Sequence, residues 1–557
     1  MEHVPGEVLV KFREDLPARE RANIHAQLGT KEVSSIPRID VQLVRGTRGQ
    51  STEALIEAFS KHPKVKYVEP NGIFHTMQTP DDPRFQETYG LDNIGQTGGT
   101  PDADIDAPEA WDRQTGSPDV IVADIDTGVD YNHEDLAANI WINPGEIPGN
   151  GTDDDGNGYI DDYYGWDFAN NDNDPMDDHG HGTHTSGTIA AVGNNGIGVA
   201  GVSWHAKIMP VKFLGADGSG THAAGAQAII YAADMGAKIS NNSWGCDIGT
   251  LCFSQTIEDA IAYADVKGML FVSSAGNLNH NNDVAFAYPC NAELPNVLCV
   301  AATDHDDNKA DFSDYGLTTV DLGAPGVNIL STFPRGAYLS SSCSDESDGI
   351  FGDGYGHCSG TSMAAPHVSG AAALLAAEFP LLSPVELKNV LMGSVDPLPA
   401  LAGLTVTGGR LNVNNALNSN FVIAGAPASQ TIEMGESATV TVSVHSLNSF
   451  NSPVTLSLVS PEPTITGSFS VNPVTPPVNG SAESVLTITT TTATLTGTYV
   501  LTIVGTDDLG ETNSERITLK VGSPDFTVSV SPASQLIGPG DGTTYTVTVS
   551  SIYIYSG

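Results

Sequence analysis

Apolar positions follow three different rhythms along this chain. Over residues 1–78 short strand-like runs trade places with helical ones. GEVLVKF (6–12) predicts a strand, 17–28 a polar helix and RIDVQLVRG (38–46) a second strand. STEALIEAFSKHP (51–63) predicts a helix capped by Ser51, and VKYVEPNGIF (65–74) a third strand. The alternation implies a small α+β domain. HTMQTPDDPRF (75–85) is polar and predicts an exposed linker open to proteolysis. Residues 79–418 differ. Strands at 119–125, 207–214, 237–243 and 268–276 are apolar without alternation. Small-residue helices at 183–192, 222–235, 255–267 and 361–379 separate them. Strands apolar on both faces, separated by helices, predict an α/β fold with a parallel β-sheet covered on each side.

From 421 onward charge thins, and Thr, Ser and Val dominate. ATVTVSV (438–444) and YVLTIVG (499–505) alternate with period two, as half-buried strands do. PASQTI at 427 returns as PASQLI at 532, a spacing suited to tandem β-sandwich domains of about 100 residues. The expected division is 1–78, 79–418, a sandwich at 421–522 and a partial second repeat at 523–557. The last stops at SSIYIYSG after too few strands to close, so the chain is expected to continue.

Composition narrows this picture. A chain of 557 residues is too long for one core. No run of eighteen apolar residues predicts a membrane span. The net charge of −44 argues against nucleic acid as a partner. Residues 1–80 hold 11 basic and 10 acidic side chains, against 12 and 57 in the remainder, so a near-neutral leader precedes a strongly acidic body. Six cysteines fall into close pairs: Cys246/Cys252, Cys290/Cys299 and Cys343/Cys358. No CxxC spacing suggests zinc. Neighbour-to-neighbour disulfides are the simplest of fifteen pairings, and six buried thiols are the alternative. Disulfides would mean an oxidising compartment. The opening MEHVPGEVLV has neither the basic start nor the apolar core of a secretory signal, so secretion is expected with that signal outside this sequence.

The chemistry concentrates in a few segments. DIDTGVD (124–130) ends an apolar run on carboxylates, with Asp126 before Thr-Gly. DDHGHGTHTSGTIAA follows with His179, His181 and His184, and GTSMAAPHVSGAAALLAAEF places Ser362 at a helix start. The order is Asp, His, Ser. A serine hydroxyl needs a base to become a nucleophile, His serves near neutral pH, and a carboxylate fixes the imidazole tautomer. SSAGNLN supplies Asn277 as an oxyanion donor that could pair with the Ser362 N–H. A zinc cluster of the three histidines is the rival, without the HExxH pattern. A binding protein carrying an inactive protease is another. An α/β-hydrolase would need the order Ser, Asp, His and a GxSxG elbow.

These segments, with LGADGSG, NNSWG, SSAGN and APGVNILST, resemble the subtilisin-like serine proteases in the right order, and the core is similar to the thermitase branch. The resemblance implies Ser362 as nucleophile, His181 as base, Asp126 as orienting carboxylate and Asn277 at the oxyanion. His184 and His367 become structural. Polypeptide substrates would pair with Gly218, Ser219 and Gly220 on one side and Ser243, Trp244 and Gly245 on the other, with the side-chain pocket near Ser274 and Gly276. Structural calcium is expected at three places. DDDGNGYIDD offers Asp153, Asp155, Asn157 and Asp161, although Tyr164 stands where an EF-hand has Glu. WDFANNDND offers Asp167 and Asp172, and a third site offers Asp135 and Asn195. The leader resembles the family's inhibitory propeptide, of ferredoxin-like fold, with self-cleavage at 74–80. The expected molecule is a secreted, monomeric endopeptidase zymogen.

Overall fold

The computed structural model describes residues 3–13, 16–72, 79–246, 253–335, 343–344, 353–522, 524–532, 534 and 542–553. The chain forms two compact units, 1–77 and 78–557. The expected cleavage stretch, 74–80, falls mostly outside the described residues.

The first unit is a four-stranded antiparallel sheet with two helices. Across it run Thr30–Ile36, Val41–Gly46, His3–Phe12 and Val65–Gly72, so the chain order is 2-3-1-4, the arrangement of a ferredoxin-like fold. Val8, Val10, Phe12, Ile24, Val44, Leu55, Phe59 and Val65 form its core. Ser51 caps the Thr52–Ser60 helix by accepting the Ala54 N–H at 3.2 Å. The Thr30–Ile36 strand is absent from the sequence reading. It is exposed beyond Thr30 and held by backbone pairing with its neighbour, so no apolar rhythm marks it.

The second unit is built on a nine-stranded sheet. In spatial order its strands are 396–397, 409–410, 322–325, 297–303, 270–274, 239–242, 121–126, 207–212 and 166–167. Every neighbouring pair is parallel except the hairpin joining the first two. Val122, Leu270, Val272, Leu298 and Val300 bury one face beside the Thr361–Glu378 helix. Ala123, Ile125, Met209, Val211 and Phe271 bury the other beside His222–Asp234 and Gln255–Lys267. Two-sided burial is why these strands read as unbroken apolar runs. Thr221 and Ser254 start the latter two helices by capping Ala224 N and Ile257 N. The stretch 75–85 departs from the linker reading at its C-terminal end. Phe85 is 3 % exposed and Asp82 4 %, so this end belongs to the second unit's interior.

Residues 421–522 form two four-stranded sheets around Val440, Val442, Leu486, Ile503 and Leu519. A two-stranded ribbon, Pro524–Ser531 with Thr546–Tyr553, follows. Among the described residues no helix is long and apolar enough to cross a membrane.

The sandwich packs on the Pro384–Gly393 helix through buried polar groups. Asn389 Nδ2 donates to Ile423 O at 2.9 Å and to Glu515, and Asn513 Nδ2 donates to Asn389 O at 3.0 Å. Glu515 is 4 % exposed, and burial pushes its carboxyl up to about 7. A carboxyl raised on folding binds its proton more tightly in the native state, so stability falls as pH rises from the unfolded value toward 7. Glu515→Gln keeps the acceptor and removes the charge. Calorimetry is expected to show a higher Tm for the variant at pH 8 and little change at pH 4. An equal shift at both would contradict this.

Candidate active site

Asp126 is the last residue of Ile121–Asp126 and is fully buried. The carboxyl ends of parallel strands are where open α/β sheets gather ligands. Its Oδ1 accepts from His181 Nδ1 at 2.7 Å and from Thr127 N at 2.7 Å, while Oδ2 is buried without a partner among the described residues. Burial works against the imidazolium. The charge of Asp126, with Asp124 and Asp177 behind it, outweighs burial and lifts the imidazole to about 9. His181 remains 22 % exposed, so its free nitrogen can meet a reactant.

His181 begins the His181–Ala190 helix, two residues earlier than the sequence reading. Asp177 explains the difference. Its buried carboxylate accepts from Gly180 N at 2.8 Å, Thr183 N at 2.9 Å and Thr183 Oγ1 at 2.6 Å, satisfying donors that a helix start leaves open. Thr127 Oγ1 donates to Asp177 at 2.9 Å and accepts from Gly182 N at 2.9 Å, fastening the helix to the loop after Asp126. Gly182 has to be glycine here, since a Cβ would stand 2.2 Å from Gly128 O.

Ser362 is the second residue of Thr361–Glu378, so its N–H has no intrahelical acceptor. Its Oγ donates to Ser243 O at 3.0 Å rather than to His181, and Ser243 Oγ donates back to Ser362 O at 2.9 Å. Asn277 follows Leu270–Ser274, the second strand over from Asp126. Its Oδ1 accepts from Thr361 N at 2.8 Å and Thr361 Oγ1 at 3.0 Å, leaving the Nδ2 hydrogens as donors to something else. Gly276 N donates to Thr361 Oγ1 at 3.1 Å.

Gly218, Ser219 and Gly220 are exposed in a turn in which Gly215 N donates to Ser219 O at 3.0 Å. Gly245 lies against Tyr288 O, beside a backbone bridge between Cys246 and Tyr288. Trp244 packs edge-on to Phe213, ring centres 4.8 Å apart, and to Phe271 at 6.3 Å. Ser274 ends its strand at the same edge.

Among the described residues His179, His181 and His184 do not form a metal-ligand group. His184 is fully buried with Nε2 on the carbonyls of Ile329 and Gly356 at 2.9 and 3.1 Å, and burial holds its pKa near 3. His367 is likewise buried, its Nδ1 on Met363 O at 2.9 Å.

Oxygen-rich groups lie elsewhere. Asp153 spends its carboxylate on the N–H groups of Gly156, Asn157 and Gly158, and Asp161 on those of Asn150 and Gly151. The cluster is instead Glu146, Asp155 and Asp162, with ligand oxygens within 4.8 Å of one another. Among the described residues Glu146 Oε2 is buried without a partner, and Asn157 donates to Asp155 and Asp162. Asp167 accepts from Ala169 N and Asn170 N, and Asp172 from Asp174 N. Asp135 accepts from Asn195 Nδ2 at 2.8 Å and Val199 N at 2.9 Å, and burial lifts its carboxyl to about 7. Asp82 joins it by accepting from Asn194 N at 2.6 Å, and burial raises its carboxyl too. Among the described residues neither forms an ion pair. Glu146, Asp162 and Asp82 are absent from the sequence reading.

Disulfides join Cys290 to Cys299 and Cys343 to Cys358. Cys252 lies outside the described residues, and the Cys246 pairing with it.

Residues 117–421 match the subtilase family and residues 1–71 the fervidolysin N-terminal prodomain. The chain is 36 % identical over 416 residues to the thermophilic serine proteinase of Bacillus sp. (strain AK1), covering 74 % of this chain and 88 % of that one. It is 40 % identical over 301 residues to thermitase of Thermoactinomyces vulgaris, covering 54 % and 86 %. It is 34 % identical over 398 residues to an extracellular protease of Xanthomonas campestris, covering 68 % and 64 %. The chain belongs to the subtilase family of serine endopeptidases and carries an N-terminal prodomain.

Proposed function

We propose that this chain is the zymogen of a secreted, calcium-stabilised endopeptidase that acts through Asp126, His181 and Ser362 and removes its own prodomain. Residues 1–78 are the inhibitor and folding aid, 79–418 the catalytic domain, and 421–522 with 523–557 one whole and one partial sandwich. The 2.7 Å bond from His181 Nδ1 to a buried carboxylate carries the reading, because it leaves the other imidazole nitrogen as the base.

Ser362 Oγ exchanges the Ser243 carbonyl for His181, gives up its proton and attacks the peptide carbonyl. The imidazolium then protonates the leaving amine, and water hydrolyses the acyl-enzyme by the same route. Gly218–Gly220 and Ser243–Gly245 hold the substrate backbone as an added strand. The developing oxyanion sits above Gly360. A Cβ built there would lie 3.6 Å from Ser362 N and 3.7 Å from Asn277 Nδ2, so the glycine keeps open a space lined by two donors. Secretion rests on the disulfides and on the relative named as extracellular.

Calcium fits the donor sets. Glu146 with Asp155 and Asp162, and Asp82 with Asp135, are hard oxygen ligands, and burial of all but the exposed Asp155 costs stability until a cation neutralises them. Bound calcium would supply charge compensation and hold loops, and it takes no part in the reaction.

The full chain is expected to lose its leader on incubation, and Ser362→Ala to keep it, on a denaturing gel. Equal loss from both purified proteins contradicts self-processing. Gly360→Ala is expected to lower kcat by about 10²–10³, a magnitude taken from loss of an oxyanion donor in subtilisin, with Tm nearly unchanged. Unchanged kcat would remove the oxyanion site from Gly360. Calcium at 100 times its Kd is expected to stabilise by about 2.7 kcal/mol. Glu146→Gln or Asp82→Asn should each reduce that gain, and equal Tm values in calcium and in a chelator would contradict it.

A further inference from the structure

Asp124 precedes Asp126 by two residues on the same strand, so both carboxylates project from the same face. Asp124 is fully buried in a strand otherwise made of Ile121, Val122, Ala123 and Ile125. A charge in such a place is costly unless it is well satisfied. Three neutral donors satisfy it. Oδ2 accepts from Thr185 Oγ1 at 2.8 Å and Ser186 Oγ at 2.6 Å, and Oδ1 accepts from Asn241 Nδ2 at 2.9 Å.

Those donors belong to different working parts. Thr185 and Ser186 lie one turn beyond His181 on the helix it begins. Asn241 sits opposite Asp124 on the neighbouring strand. Asn241 Oδ1 accepts from Ser369 Oγ at 3.0 Å, on the helix that starts with Thr361 and Ser362. Asn241 Nδ2 also reaches Ser243 Oγ at 3.2 Å, and Ser243 Oγ donates to Ser362 O at 2.9 Å.

We infer that Asp124 is a positioning residue that ties the helix of the base to the helix of the nucleophile and sets negative charge behind the imidazole. The inference rests on the proposed triad. Asp124 touches no reacting atom. The groups that face it are Asp126 on its own strand, His181, Thr185 and Ser186 on one helix, Asn241 on the adjacent strand and, through Asn241, Ser369 on the other helix. On the remaining neighbouring strand Pro210 is its partner, and Lys212 gives its ammonium to Thr127 O, Leu214 O and Asp178 instead. Among the described residues no lysine or arginine pairs with Asp124. Burial, with the charge of Asp126, pushes the Asp124 carboxyl up to about 7, below the imidazole's value of about 9, so where the imidazole titrates Asp124 is ionised and its charge adds to that of Asp126 in favouring the imidazolium.

The test compares the parent, Asp124→Asn and Asp124→Ala as full chains, with kcat, KM and the pH profile of kcat/KM expressed per fluorophosphonate-titratable serine. Asp124→Asn removes the charge and keeps an acceptor for Thr185 and Ser186, while its Nδ2 takes the place of Oδ1 and meets Asn241 as a donor once that amide turns its Oδ1 inward. Catalysis needs neutral imidazole, so its acid-side midpoint is expected about one pH unit below the parent's, with most of kcat kept on the plateau. Asp124→Ala cuts the ties and is expected to lose at least about tenfold in kcat with little change in KM. An unshifted midpoint in Asp124→Asn overturns the electrostatic role, and that arm decides even when the alanine variant fails to fold. A kcat for folded Asp124→Ala within twofold of the parent overturns the tie. A parent with no titratable serine fails the triad reading itself, a result distinguishable from either.

Discussion

A buried carboxylate holding an imidazole is the contact on which the rest of this structure depends. Asp126 has no exposure, and His181 meets it at 2.7 Å. The bond exists because a strand ends at Asp126, Gly182 lets a helix approach the loop beyond, and Asp177 starts that helix at His181. Each of the three acts on backbone placement. The pair is therefore positioned by a strand and a helix, which hold side chains more precisely than loops do.

The same economy of charge runs through the second unit. Asp124, Asp126 and Asp177 are buried within a short distance of one imidazole, and all of them favour its protonated form. Elsewhere Asp82, Asp135, Glu146 and Asp162 are buried with few or no cations, in a chain of net charge −44. Near His181 the negative charge favours the imidazolium. In the loops it would be offset by the calcium proposed for Glu146, Asp155 and Asp162 and for Asp82 and Asp135. The physics is shared: low dielectric makes an unpaired carboxylate expensive and makes its eventual partner strongly held.

Most of the fold was legible because burial writes itself into the sequence. The strands at 121–126, 239–242 and 270–274 are apolar on both faces, and the repeating Thr-Val pattern after 421 is apolar on one. Asp126, His181, Asn277 and Ser362 stood out because several residues around each match one family in one order. What escaped depended on loop geometry or on backbone pairing. Asp153 and Asp161 have the spacing of cation ligands, yet their oxygens close turns, while Glu146 and Asp162 come together only when the loop folds. Asp82 was hidden in a polar run, and Thr30–Ile36 has no buried face to mark it. Asp124 falls inside the strand read at 119–125, and its ties to Thr185, Ser186 and Asn241 join residues too far apart along the chain to show as a pattern.

The account turns on Ser362 being the one activated hydroxyl, with His181 as its base. The direct measurement is the rate at which a fluorophosphonate modifies the mature protein across pH, with the labelled residue found by peptide mass spectrometry. One label per chain on Ser362, at a rate that rises as the imidazole loses its proton and collapses in His181→Ala, is the predicted result. Label on another residue, or labelling of Ser362 that ignores both pH and His181, would contradict it.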